Sequence, residues 1–142
     1  MNKDLNSESP LGQPIQYIDQ YSPELLHPLP RSQHRDALAL SEPLPFHGVD
    51  IWNAWELTWL DNDGKPVVGT AEIRVPADST NIVESKSLKL YLNSFSMSNY
   101  VAESDVAETI EQDLSVCVGA DVDVCVEHAG ALYGANVSRL PG

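Results

Sequence analysis

The stretch Trp55-Glu56-Leu57-Thr58-Trp59-Leu60-Asp61-Asn62-Asp63-Gly64-Lys65-Pro66-Val67-Val68-Gly69-Thr70-Ala71-Glu72-Ile73-Arg74-Val75 has the pattern of a β-hairpin. Trp55, Leu57 and Trp59 fall on one side of an extended chain, and Glu56 and Thr58 on the other. That period of two predicts a half-buried strand. Asp61-Asn62-Asp63-Gly64 then brings together residues that tolerate positive φ, the chemistry of a tight turn. Beyond the turn, Val67, Gly69, Ala71, Ile73 and Val75 alternate with Val68, Thr70, Glu72 and Arg74, which predicts a second, antiparallel strand.

Downstream the period changes. After a loop over 76–81, Leu88, Tyr91, Leu92 and Phe95 recur at helical spacing, with Lys86, Lys89 and Asn93 on the opposite side. A second helix is expected from Ser104 as N-cap, with Asp105 near the positive end of the dipole. Val106, Ile110, Leu114 and Cys117 form its expected buried stripe, and Gly119 its stop. Val122, Val124 and Val126 alternate with Asp121, Asp123, Cys125 and Glu127, a third strand. Ala131 to Val137 is a weaker candidate for a fourth, because Gly134 interrupts it. Upstream, seven of the ten prolines precede His47, which predicts an extended, turn-rich lead-in over 1–47. It also holds Tyr17, Tyr21, Leu25, Leu26 and Phe46, so it should wrap onto the body formed by 48–142. One short helical turn is expected around Asp36 to Leu40. The order strand, strand, helix, helix, strand, candidate strand predicts an α+β protein, an antiparallel sheet with two helices on one face.

The chain has 142 residues, the size of one domain, and 42% of them are hydrophobic, enough for a core. Lys plus Arg number 8 against 21 Asp plus Glu, a net charge of -13. Eight scattered cations argue against nucleic acid as the main partner, since that needs a clustered basic face. One small anionic ligand needs only a few donors and stays open. Neither an export signal at Met1 to Asn6 nor an apolar run of membrane-spanning length is present. Cys117 and Cys125 make neither a disulfide framework nor a zinc set, which predicts a reduced, cytoplasmic protein. His27, His34, His47 and His128 lack metal-ligand spacing, so no metal site is expected. Neither a Gly-x-Gly-x-x-Gly turn nor a phosphate-binding loop occurs.

The chemically dense segment is Glu84-Ser85-Lys86-Ser87-Leu88-Lys89-Leu90-Tyr91-Leu92-Asn93-Ser94-Phe95. It places a carboxylate, hydroxyls and ammonium groups where a loop becomes a helix. Free backbone amides and the dipole favour an anion there, so a phosphate could use Lys86 and those amides together. Glu84 could accept hydrogen bonds from a purine-like edge. The same residues also have an ordinary reading, with Glu84 and Ser85 as helix caps and the lysines as a solvated face.

The same segment resembles the signature of the 7-cyano-7-deazaguanine reductases, the nitrile reductases of queuosine biosynthesis, a tRNA modification. Pro30-Arg31-Ser32, Leu44-Pro45-Phe46-His47-Gly48, Asp50-Ile51-Trp52, Glu56-Leu57 and Asp113-Leu114-Ser115-x-Cys117 resemble the family's two-module form, so the likeness runs from about Leu11 to Cys117. The resemblance implies the tunnelling fold, built from β-β-α-α-β-β modules. It implies NADPH-dependent reduction of the nitrile to a primary amine, through a cysteine thioimide and with an aspartate as proton donor. Carried over by position, Val83, Glu84 and Ser85 match the part that holds the deazaguanine, and Ser85 and Lys86 the part that touches NADPH.

One departure is large. In the two-module form the nucleophile lies in the second module, and this sequence reaches Gly142 about where that module would start. In the one-module form the cysteine precedes the signature, and no cysteine precedes Glu84 here. Cys117 and Cys125 have Val124 and Leu132, not aspartate, seven positions on. Cys125 shares a strand face with Asp121, Asp123 and Glu127, where neighbouring negative charge disfavours a thiolate. Cys117 sits on an apolar stripe. The expectation is therefore an N-terminal module with no catalytic residue of its own, completed by a second catalytic module and assembling as a homo-oligomer. The rivals are a non-catalytic purine- or pterin-binding or scaffolding module of the same fold, and a stand-alone enzyme using Cys117 or Cys125. The downstream coding region discriminates between them.

Overall fold

Asp61 builds the turn that the hairpin needs. Its carboxylate accepts from the amides of Asp63 and Lys65, both at 2.9 Å, and Gly64 takes φ 75°. The computed structural model describes residues 18–40 and 42–129. Along them run β1 (Pro28–Pro30), α1 (Ser32–Ala37), β2 (Val49–Leu60), β3 (Pro66–Pro76), β4 (Asn81–Val83), α2 (Ser85–Asn93), α3 (Glu103–Val118) and β5 (Asp123–His128). The expected strand at Ala131–Val137 lies outside the described residues. β2, β3 and β5 form one antiparallel sheet in the order β2-β3-β5, and β1 pairs antiparallel with β4 in a second, two-stranded sheet. The architecture is α+β.

The hairpin departs from the simple alternation at one point. Between the pairs Ala54↔Ala71 and Leu57↔Gly69, β2 carries Trp55 and Glu56 where β3 carries only Thr70. The extra residue is a β-bulge, and it shifts the inward-facing set from even to odd numbers. Trp52 and Ala54 therefore share a face with Leu57 and Trp59, while Trp55, expected beside them, is 78% exposed.

Leu57, Trp59, Ala71, Ile73 and Val75 from the sheet meet Leu88, Tyr91 and Phe95 and the α3 residues Val106, Ile110, Leu114 and Val118 in one buried core. The α3 stripe keeps i, i+4 spacing to its end. Val118 completes it, and Cys117, expected there, is only partly buried. Burial of each large aliphatic chain contributes roughly 1.5–3 kcal/mol, so packing rather than intrinsic propensity holds α3. The helix also starts earlier than expected. Ala102 is the cap position, Ser104 lies in the first turn, and the Asp105 carboxylate accepts from the Ala102 amide at 3.0 Å. Gly119 closes it at φ 72°, its amide donating to the Ser115 carbonyl.

The described part of the lead-in holds more regular structure than its prolines suggest. The helical turn spans Ser32–Ala37, ahead of the expected Asp36 to Leu40. Its arginines set its place: Arg31 donates to Asp50 and to Ser79 Oγ, and Arg35 donates to the Ala77 carbonyl. Pro28 and Pro30 sit in β1 at the edge of a two-stranded pairing, where a missing amide is tolerated. Further upstream, the Tyr21 and Tyr91 hydroxyls both donate to Asp113 Oδ2, at 2.7 and 2.6 Å.

Burial and the nearby Asp113 carboxylate push the Tyr91 phenol well above its ordinary range. The native state keeps this proton when the unfolded chain has already lost it. Unfolding is therefore favoured as pH rises past about 10, by up to about 1.4 kcal/mol per pH unit from this group. Chemical denaturation between pH 8 and about 11 should show that decline, and Tyr91→Phe should make it shallower, the Tyr21 phenol on the same carboxylate keeping a part of it.

Candidate functional site

β4 delivers Glu84 to the start of α2. Val83, the last residue of β4, pairs with Pro28 and is 2% exposed. Glu84 is 3% exposed and is the N-cap of α2. Its Oε1 accepts from the Lys86 amide at 2.9 Å and its Oε2 from the Ser87 amide at 2.8 Å. Ser85 Oγ lies 3.4 Å from Oε1. The carboxylate thus meets the positive end of the helix from within the chain. Glu84 takes the Lys86 and Ser87 amides, two of the donors that a phosphate at this helix start would use. Ser85 is exposed and Lys86 half-buried, and each carries a donor of the kind a phosphate accepts.

The lead-in fixes the other side of Glu84. The Glu84 amide donates to the His27 carbonyl at 2.9 Å, and the His27 amide donates to Ser87 Oγ at 3.0 Å. Ser87 Oγ donates in turn to the Glu84 carbonyl at 2.8 Å. Two more serines hold the same strap: Ser94 Oγ accepts from the Ser22 amide, and Ser98 Oγ from the Tyr21 amide. The serines of the dense segment therefore divide by role. Ser87 and Ser94 are buried and structural, and Ser85 faces outward.

Ser85 opens onto a cleft of about 440 Å³ between α2 and the outer edge of β2. Trp52, Ala54, Ile73, Leu88 and Leu92 give it apolar walls, and Lys89, Asn93 and Glu56 add polar groups. Its size is that of a small-molecule pocket. Sequence reasoning did not find this cleft. The signal was present in Trp52, within a quoted segment, but the bulge that turns Trp52 inward leaves no mark in a simple alternation.

Neither thiol lines the cleft at Ser85. Cys117 is half-buried on α3, and burial pushes its thiol up to about 11. Cys125 is exposed on β5, in a shallow groove with Glu72, Arg74, Asp123 and Glu127. No His, Cys, Asp and Glu cluster able to hold a metal occurs among the described residues, and no described helix is long and apolar enough to cross a membrane.

Residues 17–126 match the family model of the N-terminal part of nitrile reductases, 7-cyano-7-deazaguanine reductase. The chain belongs to that family. Among similar curated proteins is an NADPH-dependent 7-cyano-7-deazaguanine reductase of an Azoarcus species, 53% identical over 83% of this chain and 42% of its own. The enzyme of the same name from Desulfotalea psychrophila is 48% identical over 87% of this chain and 45% of its own. That from Dechloromonas aromatica is 46% identical over 98% and 50%. The chain spans about half the length of the curated relatives it matches.

Proposed function

We propose that this chain is the N-terminal module of an NADPH-dependent reductase that converts 7-cyano-7-deazaguanine to its aminomethyl form in queuosine biosynthesis. The observation that carries this reading is the start of α2. There the buried Glu84 carboxylate caps the helix next to Ser85, whose side chain lines the cleft together with Lys89, within the segment that the family model matches. In this reading the chain forms a tunnelling-fold module of order β-β-α-α-β-β, its lead-in over 1–47 packed on the body at 48–142. It works in the cytoplasm, as a homo-oligomer with a second catalytic module.

Glu84 would hold the amidine-like edge of the deazaguanine. A carboxylate has about four lone-pair directions, and the α2 start takes up three, so the ligand would share it with the Lys86 and Ser87 amides. Val83 would act by fixing the backbone that carries Glu84. Ser85 and Lys86 would hold a phosphate of NADPH, a fit that rests on their hydroxyl and ammonium donors. Bound NADPH supplies hydride, and the residues of this chain bind and orient. The nucleophilic cysteine and the proton-donating aspartate would come from the second module.

Titration calorimetry on the assembly of both modules tests these roles. Glu84→Ala should weaken 7-cyano-7-deazaguanine by about 2–3 kcal/mol, because ligand donors are left buried and unpaired. It should also lower stability by about 1 kcal/mol through the lost cap. Equal ligand affinities would leave Glu84 as a cap alone. Lys86→Ala should weaken NADPH and leave the base unaffected, since an ammonium has no acceptor for a base edge.

A further inference from the structure

Two buried serines, Ser87 within α2 and Ser94 just past its end, make the same pair of bonds. Ser87 Oγ accepts from the His27 amide at 3.0 Å and donates to the Glu84 carbonyl, three positions back, at 2.8 Å. Ser94 Oγ accepts from the Ser22 amide at 3.1 Å and donates to the Tyr91 carbonyl, also three positions back, at 2.6 Å. Both serines are 0% exposed. They differ in what they reach. Ser94 ties the lead-in to the far end of α2, and Ser87 ties it to Glu84. The register of β1 on β4, with Pro28↔Val83 and Leu29↔Ile82, sets His27 opposite Glu84 one position further on. A hydrogen-bonded antiparallel pair exchanges two backbone bonds. One is made, from the Glu84 amide to the His27 carbonyl at 2.9 Å. The other is replaced. The Glu84 carbonyl accepts the Leu88 amide of the helix at 3.0 Å, and Ser87 Oγ stands between that carbonyl and the His27 amide.

We propose that Ser87 is a positioning residue for the base site: its hydroxyl splices the β1–β4 ladder to the start of α2 and so fixes the peptide from which the Glu84 carboxylate is aimed. In a capping box the N3 side chain bonds the amide of the cap residue. Here the cap amide goes to His27 instead, and the N3 residue is Ser87, which takes the His27 amide and the cap carbonyl. The three bonds close a ring through Glu84, His27 and Ser87. With the Lys86 and Ser87 amides on the carboxylate, Glu84 is held at both ends. A side chain already held gives up less rotamer freedom when a ligand binds it. Buried amides seldom stay unpaired, so without the hydroxyl the His27 main chain and the Glu84 peptide must shift against each other. The support for the carboxylate thus comes from the lead-in, 60 positions before Ser87. This rests on the reading of Glu84 as the holder of the base and adds to it the residue that aims it.

The test sets Ser87→Ala against Ser94→Ala in the assembly of both modules. Each variant removes one buried hydroxyl that holds one lead-in amide, so both should lower the urea midpoint. Titration calorimetry well below either midpoint should find 7-cyano-7-deazaguanine bound about tenfold more weakly by Ser87→Ala, and within about twofold of the parent by Ser94→Ala. Hydrogen exchange reads the same point without ligand. The Lys86 amide, held by Glu84 Oε1, should exchange about tenfold faster in Ser87→Ala and not in Ser94→Ala. Ser87→Cys keeps a short side chain with a weaker donor and acceptor. It should show the same changes to a smaller degree, and it decides the question if Ser87→Ala does not fold. An unchanged base affinity in Ser87→Ala, or equal losses in the two alanine variants, would overturn the proposal. Should the parent assembly fail to bind the base, the reductase reading falls and the Lys86 amide decides on Ser87. Faster exchange in Ser87→Ala alone upholds its hold on Glu84, and equal exchange in both variants overturns it.

Discussion

Purified alone and supplied with NADPH and 7-cyano-7-deazaguanine, the 142-residue chain is expected to leave the nitrile untouched. Covalent catalysis needs an activated thiolate within bonding reach of the nitrile carbon, with a proton donor beside it. The Cys117 thiol, pushed up to about 11 by burial, holds only a trace of thiolate near neutral pH. Cys125 lies on the β5 strand in a groove with Glu72, Asp123 and Glu127, and is not among the residues lining the cleft at Ser85. Absorbance of NADPH gives the rate, and intact mass reports any thioimide adduct. Silence from the chain, with turnover on adding a second module, would place the chemistry at the junction of the two. Turnover alone, or an adduct on either cysteine, would make this a complete enzyme.

Gly69→Ala is expected to destabilise the fold by about 2–3 kcal/mol, at the upper end of overpacking effects. A Cβ there would lie 2.6 Å from the Glu127 carbonyl oxygen and 2.9 Å from the Trp59 ring. The carbonyl belongs to the β3–β5 pairing and the ring is 2% exposed in the core, so neither yields cheaply. A smaller ring in Trp59→Phe should remove part of the penalty, because only one of the two clashes is with the indole. Thermal or urea denaturation of the single and double variants reads this directly, and an unchanged midpoint for Gly69→Ala would show that the sheet shifts freely there.

How much was legible in the sequence follows from what is local. The hairpin, its Asp61 turn, the apolar face of α2, the Gly119 stop and the β5 alternation all depend on neighbours within a few positions. Trp55 was misplaced because a bulge is a property of two strands together. The start of α3 was misread because Asp105 reaches back to Ala102 and Ser104 caps nothing. β1 stayed hidden because its partner β4 lies about fifty positions on. At the candidate site, the cap by Glu84 was one of two readings open to those residues. The cleft was out of reach, since it arises where an edge strand, a bulge and a helix meet.

The strap over α2 has a consequence for how this protein is made. The Tyr21 amide reaches Ser98 across 77 positions, and the Tyr21 hydroxyl reaches Asp113 across 92. Residues 19–22 therefore find their backbone partners only when 94–98 have followed, and Tyr21 meets Asp113 only with α3. The hairpin closes through its own turn, as local contacts form fast, while the strap waits for most of the chain. Tyr21, Leu25 and Leu26 travel uncovered in the meantime, an apolar segment of the kind that chaperones hold.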